Sequence, residues 1–256
     1  MRLLLGLPTA GSPTAPFLES LTALRAPAGC VDLDRDIVSG NFIPAQRELI
    51  FEEALSRRFD VLAMIDDDIA FPPDALEKLT AVLDEDPQTA LVGALYYSRD
   101  GLRPMAVDRW SGSDTTTALV PAFDDRSAVV VDGVGFGCCV IRLSSIASFQ
   151  RPFLTAHVVL QSKARWVRIA DEDYLFCERL RREGLRVRLH GGVRCKHFDR
   201  ESQRLMPERW EDDVRTASPR MYVRTPSGES LIAPNESLPR GREDHIKVEL
   251  DYLKID

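Results

Sequence analysis

Three consecutive carboxylates, Asp66-Asp67-Asp68, are the residues in this chain best suited to chemistry. They end an apolar run, Val61 to Ile65, and Pro72-Pro73 follow them. Adjacent like charges repel one another, so these acids call for a positive partner. A hard cation that takes oxygen ligands suits them. A second acidic pair, Glu172-Asp173, opens a stretch that turns basic at Arg179, Arg181 and Arg182, the order a helix dipole favours. A carboxylate at a helix start has a rigid backbone and a side chain able to face a cleft, which suits a general base. His197 follows a short β-like piece within the stretch Leu189 to Phe198. It becomes a metal ligand only where folding brings it to the Asp cluster.

The elements that must position these groups are legible from periodicity. A short apolar run with a hard polar stop, Val61 to Ile65, predicts a buried strand, and Pro72-Pro73 predict the start of a helix. The three acids then sit at the carboxyl end of a central strand, where open α/β sheets bind ligands. Leu3 to Leu7, Val31 to Leu33 and Ala90 to Tyr96 read as further strands. Thr14 to Leu24, Ala45 to Phe59 and Asp74 to Leu83 read as helices between them. Strand–helix–strand alternation with short links predicts an α/β fold, mainly parallel strands flanked by helices.

The pattern changes after Tyr97. Residues 98–127 are polar and predict loops with short strands. Val129 to Ile141 is a long β-rich run interrupted by Gly133, Gly135 and Gly137, and glycine inside a strand marks a bulge or a close approach. Asp171 to Arg182 predicts a helix ended by Gly184, and Val187 to Leu189 the next strand. Residues 201–256 are highly charged and read as a C-terminal extension of a domain spanning 1–200.

The bulk properties exclude several classes. The 256 residues are 44% hydrophobic, enough for a proper core, and carry a net charge of -7, which argues against a broadly basic surface wrapping nucleic acid. No segment approaches 18 apolar residues, and the N-terminal run is too short for a signal-peptide core. Five cysteines with no CxxC spacing fit reduced thiols in a cytoplasmic protein, with Cys138-Cys139 as core packing.

Together these residues resemble the nucleotide-sugar glycosyltransferases of the GT-A fold, in particular compact family-2-like members including phage-encoded ones. Asp66-Asp67-Asp68 after its strand is similar to their Asp-x-Asp motif, and Val131-Asp132-Gly133-Val134-Gly135-Phe136-Gly137 to the glycine-containing strand beside the donor sugar. Glu172-Asp173-Tyr174-Leu175-Phe176-Cys177 resembles the Glu-Asp acceptor-side motif, and the segment ending in His197 the late metal-site histidine. Arg47 sits like the helix arginine of such enzymes, although Glu48 stands where an asparagine is usual.

The resemblance implies a mixed, mainly parallel GT-A sheet over residues 1–200. It implies transfer of a sugar from a nucleoside diphosphate sugar, with UDP-sugar the expected donor, to an acceptor hydroxyl. Asp68 and His197 would hold the metal, with Asp66 binding it through water or facing the ribose. Histidine among the ligands favours Mn²⁺ over Mg²⁺. Pro8 and Thr9 would line the base pocket, Arg47 would contact base or phosphates, and Asp67 would point into the fold or reach the nucleotide. Tyr97 and Arg99 would touch the sugar or diphosphate, and Gly135 the sugar. Asp173, beside Glu172, would be the base, and residues 155–169 a lid carrying Trp166.

The acceptor stays open: a glycan, a lipid, a small molecule or, as in some phage enzymes, hydroxymethylated pyrimidines in DNA. The acidic balance disfavours DNA, because phosphate contacts need clustered Lys and Arg. Two further alternatives are a nucleotidyltransferase and a non-catalytic nucleotide-binding scaffold. The loop Pro8-Thr9-Ala10-Gly11-Ser12 lacks the basic residue that would hold a triphosphate, and Asp68, Asp173 and His197 argue against a scaffold. Oligomeric state is not encoded in any pattern found.

Overall fold

The computed structural model describes residues 1–101, 104–107, 117–119, 128–154, 156–161, 165–170, 172–208, 210, 221–225, 228–232 and 246–250, with backbone alone in 117–119, 156–161, 165–170 and beyond 210. The first half alternates strand and helix: β1 (Arg2–Thr9), α1 (Ala15–Ala23), β2 (Asp32–Ser39), α2 (Ile43–Ser56), β3 (Val61–Ile65), β4 (Ile69–Ala70), α3 (Ala75–Glu85) and β5 (Thr89–Leu95). Short strands follow: β6 (Ala106–Val107), β7 (Thr117–Leu119), β8 (Ala128–Val131), β9 (Gly133–Val134) and β10 (Cys138–Arg142). The chain continues through β11 (Ala156–Gln161), β12 (Arg165–Ala170), α4 (Glu172–Arg182), β13 (Arg186–Arg194), β14 (Lys196–Asp199) and β15 (Arg204–Met206). Its last strands are β16 (Met221–Thr225), β17 (Gly228–Ile232) and β18 (Ile246–Leu250).

The central sheet has seven strands in the order β2-β1-β3-β10-β5-β13-β8. β1, β2 and β3 run parallel, as do β5 and β13. β10 inserts antiparallel between β3 and β5, and β8 closes the far edge antiparallel. The sheet is thus mixed, with five strands in one direction and helices on both faces.

Side-chain alternation explains the layers, because successive strand residues face opposite sides. Leu4, Leu62 and Met64 face Ile50, Phe51 and Ala54 of α2 and Phe176 and Leu180 of α4. Leu3, Leu5, Ala63 and Ile65 face Phe17 of α1 and Leu76, Leu79 and Leu83 of α3. β3 is buried throughout, which is why it reads as an unbroken apolar run. Gly6 lets α2 close on β1: a Cβ there would collide with Ile50.

Several expectations shift. β2 runs from 32 to 39, well past the expected Leu33. It is an edge strand whose exposed charges hide its hydrogen bonding to β1 from any hydrophobic pattern. β13 likewise extends from 186 to 194. The β-rich run 129–141 is three strands, β8, β9 and β10. Its glycines answer a close approach from within the protein: a Cβ on Gly135 would collide with the Tyr96 hydroxyl, one on Gly137 would lie 2.8 Å from it, and one on Gly133 would lie 2.7 Å from the Tyr174 ring.

The expected boundary at residue 200 falls inside a small sheet, since β15 pairs with β14. β18 pairs with β11, and β16 with β7, so strands beyond 200 return to earlier ones. The segment expected as a lid forms the β11–β12 hairpin. Residues 155 and 162–164, Asp171 and the Trp166 side chain lie outside what is described.

Candidate functional site

The carboxyl ends of β1, β3 and β5 converge with the start of α4 and with β14. The turn after β3 spreads its three acids in different directions, and each acquires its own basic partner.

Asp66 turns toward α2. Arg47 Nη2 donates to both Asp66 oxygens, at 2.7 and 2.8 Å, while its Nη1 donates to Glu172 Oε1 at 2.7 Å. The guanidinium also lies 5.5 Å from the centre of the Phe136 ring. Arg47 is only 6% exposed at its side chain. Burial works against its charge, but Asp66, Glu172 and Asp173 outweigh that and keep it firmly protonated. The expectation that Arg47 contacts base or phosphates is therefore not where the structure places it. It is enclosed between carboxylates and ties β3 to α4. Asp66, expected at the metal or ribose, gives both oxygens to that arginine.

Asp67 turns toward β1. It accepts from Thr9 Oγ1 at 2.5 Å and from Arg200 Nη2 at 3.0 Å, and its carbonyl accepts from the Thr14 backbone at 2.9 Å. Of its two expected roles, this is the inward one. Thr9 is buried, and Pro8 precedes it near the carboxyl end of β1. Arg200 was not picked out from sequence. It follows β14 in a turn, and nothing in its local pattern separates it from the other arginines.

Asp68 turns toward β14. The small sheet β15-β14-β4 pairs Ile69 with His197, so the histidine is fixed one residue from the acid. The Phe198 N–H also donates to the Asp68 carbonyl at 2.7 Å. His197 Nε2 lies 3.3 Å from Asp68 Oδ2. Arg99 Nη2 donates to the same oxygen at 2.7 Å. Burial pushes the Asp68 carboxyl up, but His197 and Arg99 more than offset it and hold it at about 2. The site thus keeps an anion at every physiological pH.

The His197 ring is held on its other side. Nδ1 lies 3.1 Å from the Tyr97 carbonyl, and the ring meets Tyr96 edge-on with centroids 5.9 Å apart. Of Tyr97, it is thus the backbone that serves the site. A carbonyl accepts only, so Nδ1 is assigned the proton and Nε2 a lone pair in the neutral ring. Nε2 is buried and makes no hydrogen bond. In the neutral ring a lone pair then faces the carboxylate oxygen at 3.3 Å; a proton on Nε2 would satisfy both and is the form that lowers the Asp68 carboxyl, and a divalent cation would take that proton's place. The residues present therefore fit a metal, as two ligands. Among the described residues no group of three or more His, Cys, Asp or Glu gathers for one, so the remaining ligands would come from the donor and water.

Glu172 and Asp173 open α4 and are both buried. Asp173 Oδ1 accepts from the Tyr174 N–H at 2.8 Å. Its charge, with that of Asp66, bears on the Tyr96 hydroxyl; burial is the larger cause that keeps this phenol protonated. Tyr96, missed from sequence as an apolar strand residue, braces both sides of the site. Its oxygen accepts the Gly137 N–H at 3.0 Å. Glu48, the departure from the resembled pattern, is a structural residue: its carboxylate accepts the Phe153 and Leu154 N–H groups at 2.9 and 3.0 Å.

Residues 41–150 match the family model of glycosyl transferase family 2. Among solved structures the fold is similar to A197 from STIV, with TM-score 0.55 and 19% identity over 94% of this chain and 98% of that one. It is also similar to GalNAc-T7, whose crystal structure holds UDP, GalNAc and Mn²⁺, with TM-score 0.54 and 10% identity over 81% of this chain. The chain spans 44% of that GalNAc-T7 chain. No curated protein matches it in sequence. No helix among the described residues is long and apolar enough to cross a membrane. The matched segment runs from α2 through β10 and contains the acids that end β3; that segment is similar to family-2 glycosyl transferases, and the overall architecture is that of the GT-A fold.

Proposed function

We propose that the chain is a metal-dependent enzyme that moves a sugar from a nucleoside diphosphate sugar to an acceptor hydroxyl, with a UDP-sugar as the donor class. The observation that carries the reading is the buried His197 Nε2, without a hydrogen bond of normal geometry, facing Asp68 Oδ2 at 3.3 Å. The presence of UDP and Mn²⁺ in the GalNAc-T7 structure agrees with it.

A divalent cation bound there would neutralise the diphosphate and the charge it gains as leaving group. The chain's own residues do the rest. Asp68 and His197 would hold the cation. Pro8 and Thr9 form the floor at the end of β1. Tyr96, braced against Gly135 and Gly137, fixes the His197 ring. Asp173 takes the proton from the acceptor hydroxyl as its oxygen attacks the anomeric carbon and the bond from that carbon to the diphosphate oxygen breaks. The Arg47 bridge from Asp66 to Glu172 ties the metal-side strand to the helix that carries this base.

The test is nucleotide binding by calorimetry on the full chain, using UDP, GDP, ADP and CDP with and without Mn²⁺. Metal-dependent binding of one of them, lost in Asp68→Ala, is the expected result. Metal-independent binding, or none, would overturn the reading.

A further inference from the structure

Arg99 occupies an unusual place for a surface residue. Its side chain is 61% exposed, yet its head reaches in to an aspartate side chain that is 4% exposed. Both Nη2, at 2.7 Å, and Nε, at 3.3 Å, point at Asp68 Oδ2. That is the same oxygen that faces His197 Nε2. A carboxylate oxygen filled by a guanidinium on one side has little room for a second full cation on the other. Burial of the head works against the Arg99 charge, but Asp68, Asp66 and Asp199 surround it with negative charge and outweigh that. In the free protein, therefore, the metal-binding oxygen already has a cation.

We propose that Arg99 is a built-in counter-ion that holds Asp68 until donor arrives and then transfers to the donor's diphosphate, so that the site takes metal together with nucleotide and resists metal alone. The inference rests on the metal-site reading above. Three features support the transfer. Arg99 follows β5 in a turn outside any strand or helix, so its movement breaks no ladder. Its exposure leaves it a path into the cleft. A guanidinium pairs with phosphate oxygens as readily as with a carboxylate. Displacing Arg99 opposes the metal, and the diphosphate gives the displaced charge a new partner. Nucleotide and metal therefore raise each other's affinity through this residue, as linkage requires.

The experiment measures Mn²⁺ binding to the full chain without nucleotide, by electron paramagnetic resonance of free Mn²⁺, on wild type, Arg99→Ala, Arg99→Lys and Asp68→Ala. Thermal melts confirm that each variant is folded. The expected result is Mn²⁺ binding about tenfold tighter in Arg99→Ala than in wild type, within the usual range of coupling effects. Arg99→Lys, which keeps the charge, stays close to wild type. A UDP titration in saturating Mn²⁺ then shows weaker UDP binding for Arg99→Ala. Unchanged or weaker Mn²⁺ binding in Arg99→Ala, with binding abolished in Asp68→Ala, overturns the counter-ion role alone. Mn²⁺ binding indifferent to Asp68→Ala overturns the metal site itself, and this inference with it.

Discussion

Arg47 Nη1 lies 2.7 Å from Glu172 Oε1 while its Nη2 spans both oxygens of Asp66, so one buried cation joins the end of β3 to the start of α4. These carboxylates come from the two acidic motifs that sequence alone marks as chemical. Left facing each other without the arginine, they would repel in a setting that water reaches poorly. The bridge thus sets the spacing between the side of the site suited to metal and the side suited to a base.

Removing that cation is costly. Arg47→Met keeps much of the volume and leaves two carboxylates without a partner. The expected loss of unfolding free energy is roughly 3–5 kcal/mol, the usual result of orphaning one side of a buried ion pair. Urea unfolding at neutral pH measures it. Adding Asp66→Asn and Glu172→Gln to Arg47→Met recovers much of the loss, because the orphaned charge and not the packing is responsible. A loss below about 1 kcal/mol would mean that the pair behaves as a surface one.

Asp68 gives a prediction in pH. Its carboxyl sits at about 2 in the folded chain against an ordinary 3.8. As pH falls, the unfolded chain takes up this proton first, so stabilisation by Asp68 is complete above the unfolded value and is lost as pH drops toward 2. The difference corresponds to about 2 kcal/mol, since each unit is worth roughly 1.4 kcal/mol. In chelator, Asp68→Asn is therefore less stable than wild type at pH 6, and the gap closes as the pH is lowered through 4 toward 2.5. A gap that stays constant with pH would show that Asp68 is not held in this ionised state.

How much of this was legible beforehand follows from the physics of each element. β3, its acids and α3 were readable because a strand buried on both faces is apolar throughout and its end is abrupt. The start of α4 was readable from its charge order. The pairing of His197 with Ile69 was not, since two-residue strands carry no periodicity. Nor were the partners of the acids: Arg47 and Arg99 stand out as site residues by resemblance but not as partners of Asp66 and Asp68, and nothing local separates Arg200 from the other arginines. The full length of β2 was hidden because charged residues alternate through an edge strand that no apolar pattern marks, although it pairs with β1 along its whole length. The glycines of the 133–137 segment mark a bulge or a close approach from their spacing within an apolar run. Which group approaches, the Tyr96 and Tyr174 rings, is a tertiary fact.

Asp173 should separate binding from chemistry. Asp173→Asn preserves shape and hydrogen-bonding capacity at the start of α4 but cannot take a proton. The expected outcome is a kcat lower by about 10²–10⁴-fold, the usual contribution of a positioned base, with the Kd for nucleotide and Mn²⁺ within about threefold of wild type. Turnover of a UDP-sugar to free UDP gives the rate, and calorimetry gives the Kd. A full rate in Asp173→Asn would remove the residue from the chemistry and leave it the favourable helix-start charge that any acid can supply.

Gly135 tests the brace behind the histidine. A Cβ there would collide with the Tyr96 hydroxyl and come within 3.2 Å of the ring carbon that bears it, with Met105 Cβ 3.3 Å away. Tyr96 is buried and cannot swing aside without disturbing the His197 ring it meets edge-on. Gly135→Ala should therefore cost about 1–3 kcal/mol of stability, as overpacking does in a filled core. On the proposed metal site, it should also weaken Mn²⁺-dependent nucleotide binding, because the displaced tyrosine no longer fixes the His197 ring. Tyr96→Phe in the same chain removes the colliding oxygen but leaves the Gly137 N–H without its acceptor. The double variant should accordingly regain part of the binding and only a fraction of the stability. If Gly135→Ala lowers stability but leaves metal-dependent binding intact, Tyr96 packs the core without steering His197. If it changes neither, the glycine is not there for the tyrosine at all.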